Sequence, residues 1–179
     1  HFGRQVVLRQ LDELDAQARQ YNEHSGMLEL DPAVEQPSYQ TKVDIHCQPG
    51  GYHSEEREGD VTAGANYDVG LFATVGGALG GLNDGGGQAV GQWVNKERPD
   101  WQPKRILDIG CTVGHNAVPI AQAFPDSEVI AIDTAGASLR YAAARAASLG
   151  VTNIKFIQAS GEDLSRFADE EFDWVQTTM

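Results

Sequence analysis

The chain has 179 residues, 41% of them hydrophobic, which is enough to bury a core in one domain with an appendage. Its 13 basic and 26 acidic residues leave a formal charge of -13, which argues against an electrostatic grip on nucleic acid phosphates or anionic lipid and favours small or uncharged partners. Cys47 and Cys111 lie too far apart in sequence to suggest a disulfide framework, no apolar run approaches the roughly 20 residues that span a bilayer, and no signal peptide is discernible, so a cytoplasmic protein is expected.

The start at His1-Phe2 rather than at methionine leads us to expect a piece of a longer product. Val7, Leu11, Leu14, Ala18 and Tyr21 recur at steps of four and three and predict an amphipathic helix from Gln5 to Tyr21. From Gly26 to Gly59 the sequence is polar and broken by Pro32, Pro37, Pro49 and Gly50-Gly51, which predicts an irregular connection. His46, Cys47 and His53 in that stretch have no zinc-ligand spacing and read as a solvated loop. Residues 70–91 are dense in glycine, so this stretch either packs backbone tightly or moves. Residues 1–102 are therefore expected to form a lid or cap, within which Tyr67 is a candidate substrate contact.

At Pro103 the pattern changes to alternating elements. Strands are predicted over 105–109, 128–132, 153–158 and 172–177, with helices over about 115–124 and 137–149, the second closing at Gly150, and a short turn or helix near 162–167. This alternation predicts an α/β fold: a three-layer Rossmann-like parallel sheet with helices on both faces, truncated after its fourth strand, over residues 103–179. A strand as apolar as Phe172, Trp174 and Val175 left at an edge would invite association, so a homodimer or a further C-terminal part of the chain is expected to cover it.

The most informative run is Arg105 to Gly114, RILDIGCTVG, in which an apolar strand carries Asp108 two residues before a glycine turn. A second apolar strand, 129–132, ends in Asp133, which stands 23 residues beyond Gly110. Adjacent strand ends of this kind, one rich in glycine and one acidic, make a nucleoside pocket, because glycine lets backbone approach the ligand and an acid can accept hydrogen bonds from both ribose hydroxyls.

Residues 103–179 resemble the S-adenosylmethionine-dependent methyltransferases of the Rossmann-like class, in particular the small-molecule group that includes the ubiquinone and menaquinone biosynthesis enzymes. Four ordered segments carry the resemblance: Asp108 to Gly114; Ile132-Asp133-Thr134 with Ser138 to Ala142; Gly150 to Phe156 running into Ala159 to Leu164; and Phe172-Asp173-Trp174-Val175. The resemblance implies S-adenosyl-L-methionine as cofactor. It implies that Asp108 holds the amino end of that donor, that Gly110, Cys111, Thr112 and Gly114 present backbone beside its methionine portion, and that Asp133, followed by Thr134, binds the ribose. It further implies that Ser160 and Gly161 line the adenine with Glu162 nearby, and that Thr177 faces the methionine chain.

The chain departs from the family at two positions. Thr112 stands where glycine is usual, and a β-branched residue resists positive φ. Ser160 stands where an aspartate is usual, which exchanges a charge-assisted contact for a neutral one at a difference of about 1 kcal/mol. The expected reaction is in-line transfer of a methyl group to a small-molecule acceptor, with no nucleic acid or membrane partner and no metal. The alternatives are a binding protein without turnover, or an NAD-binding oxidoreductase, whose Gly-x-Gly-x-x-Gly fingerprint is not met by Gly110 and Gly114 alone. His115, opening a helix beside the pocket, reads as a partly exposed helix-start residue ahead of a substrate contact. Cys111 is read as a small filler, and no catalytic base is assigned.

Overall fold

A computed structural model of the chain describes residues 2–36 and 53–177. His46 and Cys47 lie outside the described residues, as do Pro37, Pro49 and Gly50-Gly51.

The amino-terminal helix expected as one piece is two: α1 (Phe2–Arg9) and α2 (Leu11–Ser25). Gln10 breaks it with φ -115° and ψ 7°, outside the helical region. Most of the predicted stripe survives the break: Val7, Leu11 and Ala18 are buried and Leu14 partly so, whereas Tyr21 is exposed. Gly26, at φ 62°, ends α2 in the left-handed conformation that glycine adopts without a Cβ clash.

The region expected to be irregular also contains a short strand, β1 (Leu28–Glu29), which pairs with Phe156 and Ile157. Two residues carry no readable period, so this strand was invisible in the sequence. Asp60, fully buried, then starts the next helix: one oxygen accepts the N–H of Thr62 at 2.9 Å and the other accepts those of Glu56 and Arg57, each at 2.8 Å.

The glycine-dense segment divides: Gly70, Gly76 and Gly81 have open space beside them, and tight packing begins at Gly85. It lies across the end of α3 (Thr62–Thr74) and the start of α4 (Gly85–Glu97). Gly87 and Gly91, one helical turn apart, face α5 (Ala117–Ala123). A Cβ at Gly87 would fall 2.5 Å from Pro119 Cγ, and one at Gly91 would fall 2.8 Å from Ala123 Cβ. These two glycines let the helix axes approach.

The predicted strands and helices of 103–179 form β2 (Arg105–Ile109), α5, β3 (Glu128–Asp133), α6 (Gly136–Ser148), β4 (Ile154–Gln158) and β5 (Trp174–Thr177). Residues 162–167 form turns. With β1 the sheet has five strands, not the four expected, all parallel and ordered β1-β4-β3-β2-β5. One sheet face buries Ile106, Val129, Ala131, Ile154 and Phe156 against α5 and α6. The other buries Leu107, Ile130, Ile132 and Ile157 with Phe167 and Phe172 packed on them. Helices α2 and α3 pack on α6, and β5 takes the edge beside β2, as expected. Among the described residues no helix is long and apolar enough to cross a membrane.

Candidate functional site

The strand order reverses at β2: the chain passes from β2 outward to β3 and β4 and returns to place β5 on its other side. A crevice opens at the carboxyl ends of the strands at such a reversal. Asp108, Ile109 and the loop to Gly114 stand there, beside Asp133 at the end of β3 and Thr177 at the end of β5, which pairs with Ile109.

Asp108 is fully buried, and among the described residues only the amide of its register partner Gln176 lies near its oxygens, without forming a full hydrogen bond to either. Burial pushes the Asp108 carboxyl up to about 7; Gln176 nearby tempers the rise and the charge of Asp133 adds to it. An unpaired buried carboxyl is costly, and a ligand bearing a cation or donors would relieve the cost.

The loop after Asp108 turns through three consecutive constraints. Gly110 (φ 76°) and Cys111 send their N–H groups to Ile132 O at 2.8 and 3.1 Å, which ties the loop to β3. Thr112, expected to resist positive φ, adopts φ 50°. Its N–H donates to Asp133 Oδ2 at 2.9 Å, and its hydroxyl reaches Gly110 O at 3.4 Å. These bonds hold a conformation that costs a β-branched residue about 1–2 kcal/mol. Gly114 follows at φ 77°.

Asp133 therefore has a local role. Its Oδ1 accepts the N–H of Ala135 at 2.8 Å while Oδ2 accepts Thr112. The N–H of Thr134 is directed at it as well, so of the roughly four acceptor positions of an ionised carboxylate about one is left for a ligand. Burial raises its pKa, opposed by the N–H groups of Ala135, Thr112 and Thr134 and by the charge of His53. Thr134 turns its carbonyl inward to accept Gln158 Nε2 at 3.0 Å and the Gln36 amide.

On the far side of Asp133, Ser160 Oγ accepts the N–H of Glu162 at 3.1 Å. A Cβ at Gly161 would lie 2.5 Å from Ile109 Cγ2, so the 160–162 turn presses its backbone onto the end of β2. The sequence-predicted residues Asp108, Gly110, Cys111, Thr112, Gly114, Asp133, Thr134, Ser160, Gly161, Glu162 and Thr177 thus belong to four adjoining strand ends, those of β2, β3, β4 and β5, and the turns that follow the first three. The Cys111 thiol is buried, and burial with the nearby Asp133 and Asp108 charges pushes its pKa well above the usual range, in keeping with a filler.

A second cluster joins this edge from the amino-terminal half. Asp68 on α3 bonds His115 Nε2 at 2.8 Å, accepts the Tyr141 hydroxyl at 2.6 Å and accepts Asn83 Nδ2 at 2.7 Å, and Arg145 Nη1 lies 3.6 Å away. Burial alone would raise this carboxyl, but those donors and the Arg145 charge outweigh it and hold it at about 2. Tyr67 stacks on His115 with ring centroids 5.7 Å apart. Its phenol is raised by burial and by the charges of Asp133 and Asp68, which places it near both carboxylates. His115, weighed as partly exposed, is buried because Asp68 and Tyr67 cover it. The sequence offered no sign of the pair, since the partners lie 47 residues apart on unrelated elements.

Residues 106–179 match a family model described as a methyltransferase domain. Among curated proteins, the chain is 32% identical over 65 residues to a tRNA (guanine-N(7)-)-methyltransferase of Bacteroides fragilis, covering 36% of this chain and 26% of that protein. It is 32% identical over 77 residues to a ribosomal RNA small subunit methyltransferase G of Serratia proteamaculans, covering 43% and 36% respectively. The chain thus spans about a third or less of the length of these relatives. Among solved structures it is similar to an O-methyltransferase from Nostoc punctiforme, at 25% identity and TM-score 0.45 over 58% of this chain and 29% of that one. It is also similar to S-adenosylmethionine-bound CalS10, an amino pentose methyltransferase from Micromonospora echinaspora, at 21% identity and TM-score 0.44 over 61% and 42%.

The two curated relatives overturn one expectation, that nucleic acid is excluded as a partner, because both are named for RNA. That expectation rested on net charge, which sums over a whole surface. A nucleic acid base entering a cleft is held by local contacts and need not face the average.

Proposed function

We propose that this chain, whose residues 106–179 form a methyltransferase domain of the S-adenosylmethionine-dependent class, binds S-adenosyl-L-methionine across the ends of β2 and β3 and catalyses transfer of its methyl group. The observation that carries this reading is the buried Asp108 with two unpaired oxygens, set beneath a glycine loop where the strand order reverses. The residues present fit the donor: Asp108 can take its ammonium, Asp133 keeps an acceptor position for the ribose, and the 160–162 turn offers backbone beside the adenine position. Gly110, Cys111, Thr112 and Gly114 lie along the methionine portion, Thr134 adjoins the ribose, and Ser160, Gly161, Glu162 and Thr177 complete the lining.

When bound, the donor supplies a methyl group already activated by a sulfonium charge. The protein's part is alignment and exclusion of water, together with removal of a proton where the acceptor carries one. Isothermal titration with S-adenosylmethionine, S-adenosylhomocysteine and NAD tests the reading. Binding of the first two and not of NAD is expected; preferential binding of NAD would reassign the site to an oxidoreductase.

For the acceptor, the first reading is a small molecule admitted beneath the amino-terminal helices, with Tyr67 as a contact. It is supported by the place of Tyr67, whose phenol lies near Asp133 and Asp68 at this edge. A second reading, an RNA base, is favoured by the two curated relatives. Methyl transfer from radiolabelled donor to a panel of hydroxyl- and amino-bearing small molecules, run beside unmodified tRNA, separates them. Donor binding with no transfer to any acceptor would instead support a binding protein without turnover.

A further inference from the structure

We propose that His115 is the general base of the site, with Asp68 as its positioning residue, for acceptors that arrive carrying an O–H or N–H proton. This rests on the methyl-transfer reading above. His115 follows Gly114 directly, so the ring is anchored to the last residue of the loop assigned to the donor. Asp68 engages Nε2 at 2.8 Å, which makes Nε2 the protonated nitrogen of the neutral ring and leaves the lone pair on Nδ1. Tyr67 stacks on the ring and limits its rotation.

The partners of Asp68 favour one charge state of the pair. Tyr141, Asn83 and Arg145 each direct a donor or a positive charge at it and keep it ionised, so it receives a hydrogen bond from the imidazole and competes little for the proton itself. The titratable or charged groups facing the pair are then Tyr67 from α3, Tyr141 and Arg145 from α6, and Asp68, with Asn83 as a neutral donor from the turn before α4. An ionised carboxylate at one ring nitrogen and a lone pair at the other is the arrangement that accepts a proton and stabilises the resulting imidazolium.

The step balances. The acceptor's O–H or N–H bond breaks and its proton goes to His115 Nδ1, the acceptor atom forms a bond to the methyl carbon, and the carbon–sulfur bond breaks with its electron pair left on sulfur. The positive charge lost from the sulfonium reappears on the imidazolium beside Asp68. A purely structural reading, in which Asp68 ties α3 to α6 and His115 is one more strut, predicts no proton uptake at Nδ1 and no dependence on acceptor type.

The test uses the whole chain with 15N-labelled histidine, the His115 signals being assigned by their loss in His115→Gln. A neutral ring protonated at Nε2, with a slowly exchanging Nε2–H and an Nδ1 that gains its proton on acidification while circular dichroism is unchanged, is expected. A proton residing on Nδ1, or an Nδ1 that stays unprotonated wherever the fold persists, overturns the proposal. Alongside, catechol serves as an O–H acceptor and unmodified tRNA as a source of guanine N7, which has no proton to lose. His115→Gln should cut transfer to catechol by 100-fold or more, spare any transfer to N7, and leave S-adenosylhomocysteine affinity within about threefold. Asp68→Asn should move the acid limb of the catechol profile to lower pH, a shift that a strut would not produce. Full catechol activity in His115→Gln overturns the proposal, and where neither acceptor is methylated by the unmodified chain the ring spectrum alone decides. Failure of the unmodified chain to bind S-adenosylhomocysteine would refute the donor site, a result separate from either outcome at His115.

Discussion

Asp108, fully buried, and Asp68, partly buried, stand close to the same sheet edge, yet one carboxyl is pushed up to about 7 and the other down to about 2. Burial raises both. What separates them is the supply of donors: Asp68 has His115, Tyr141, Asn83 and Arg145 around it, whereas Asp108 has only the Gln176 amide nearby and no full hydrogen bond. Desolvation sets the demand for hydrogen bonds and the neighbours decide who meets it. At Asp68 the fold itself meets it, so that carboxylate fixes neighbouring groups in place. At Asp108 the demand is left over, which is the condition in which a ligand gains most by binding.

The contrast breaks most severely at Asp68. Asp68→Ala leaves the hydroxyl of Tyr141 without its acceptor and the guanidinium of Arg145 with the Leu82 carbonyl but no counter-charge, and should destabilise the chain by about 2–4 kcal/mol, read as a drop in urea midpoint. The pH dependence has a definite sign. A carboxyl held at about 2 contributes stability that is present above its unfolded value near 4 and is lost as pH falls from about 4 to 2. An acid-unfolding transition that does not move in Asp68→Asn would show that the cluster contributes nothing in that window.

Asp108 should behave in the opposite way. Its raised value means the folded state holds a proton that the unfolded state releases, so the ligand-free protein loses stability as pH rises from about 4 to 7. Asp108→Asn removes that loss and should stabilise the ligand-free protein at pH 8 by about 2–4 kcal/mol while weakening S-adenosylhomocysteine at least tenfold. Differential scanning at pH 5 and pH 8, with calorimetric titration, checks both signs. A mutant that is destabilised at pH 8 would mean the carboxylate has protein partners after all.

How much of this contrast was legible in the sequence follows from where the signals lie. Asp108, Gly110, Gly114 and Asp133 sit on short apolar strands with glycine punctuation, and period and spacing expose them. Strands 105–109 and 128–133 fell within a residue of their places because each is a continuous apolar run. The Asp68 cluster joins α3, the turn at Asn83, the loop at His115 and α6, and its members are fixed by packing in three dimensions. No local pattern marks such a set. The glycine-dense segment left two alternatives open and its helix unread: Gly87 and Gly91 are poor helix formers by propensity, and α4 exists because their missing side chains admit α5, a tertiary gain that outweighs the local cost of about 1 kcal/mol each. Strand β1 was too short to carry any period.

Asp133 lies between the two extremes, with three acceptor positions used by the fold and about one left over, so its substitution should divide between stability and binding. Asp133→Ala frees the N–H groups of Thr112 and Ala135 and should cost about 1–2 kcal/mol of stability. It should also weaken donor binding by about 2–3 kcal/mol through loss of a charged acceptor. Asp133→Asn keeps one acceptor oxygen and should recover part of each. Equal donor affinity in all three proteins would remove the ribose role and leave Asp133 as a loop tether.

The smallest expected effect tests whether the loop's strain belongs to the backbone or to the ligand. Thr112 holds φ 50°, where glycine carries no penalty, so Thr112→Gly relieves a conformational cost of about 1 kcal/mol or slightly more. Glycine also frees more conformations in the unfolded chain, which offsets part of that gain, and the long 3.4 Å contact from the Thr112 hydroxyl to Gly110 O adds little to either side. The N–H to Asp133 Oδ2 survives the change, because it is backbone. Stability should therefore rise by less than about 1 kcal/mol, and donor affinity should hold or improve as the methyl group leaves the loop. A tenfold loss of S-adenosylhomocysteine affinity in Thr112→Gly, with the melting temperature unchanged, would mean that the hydroxyl itself touches the donor and that the departure from glycine is part of the site.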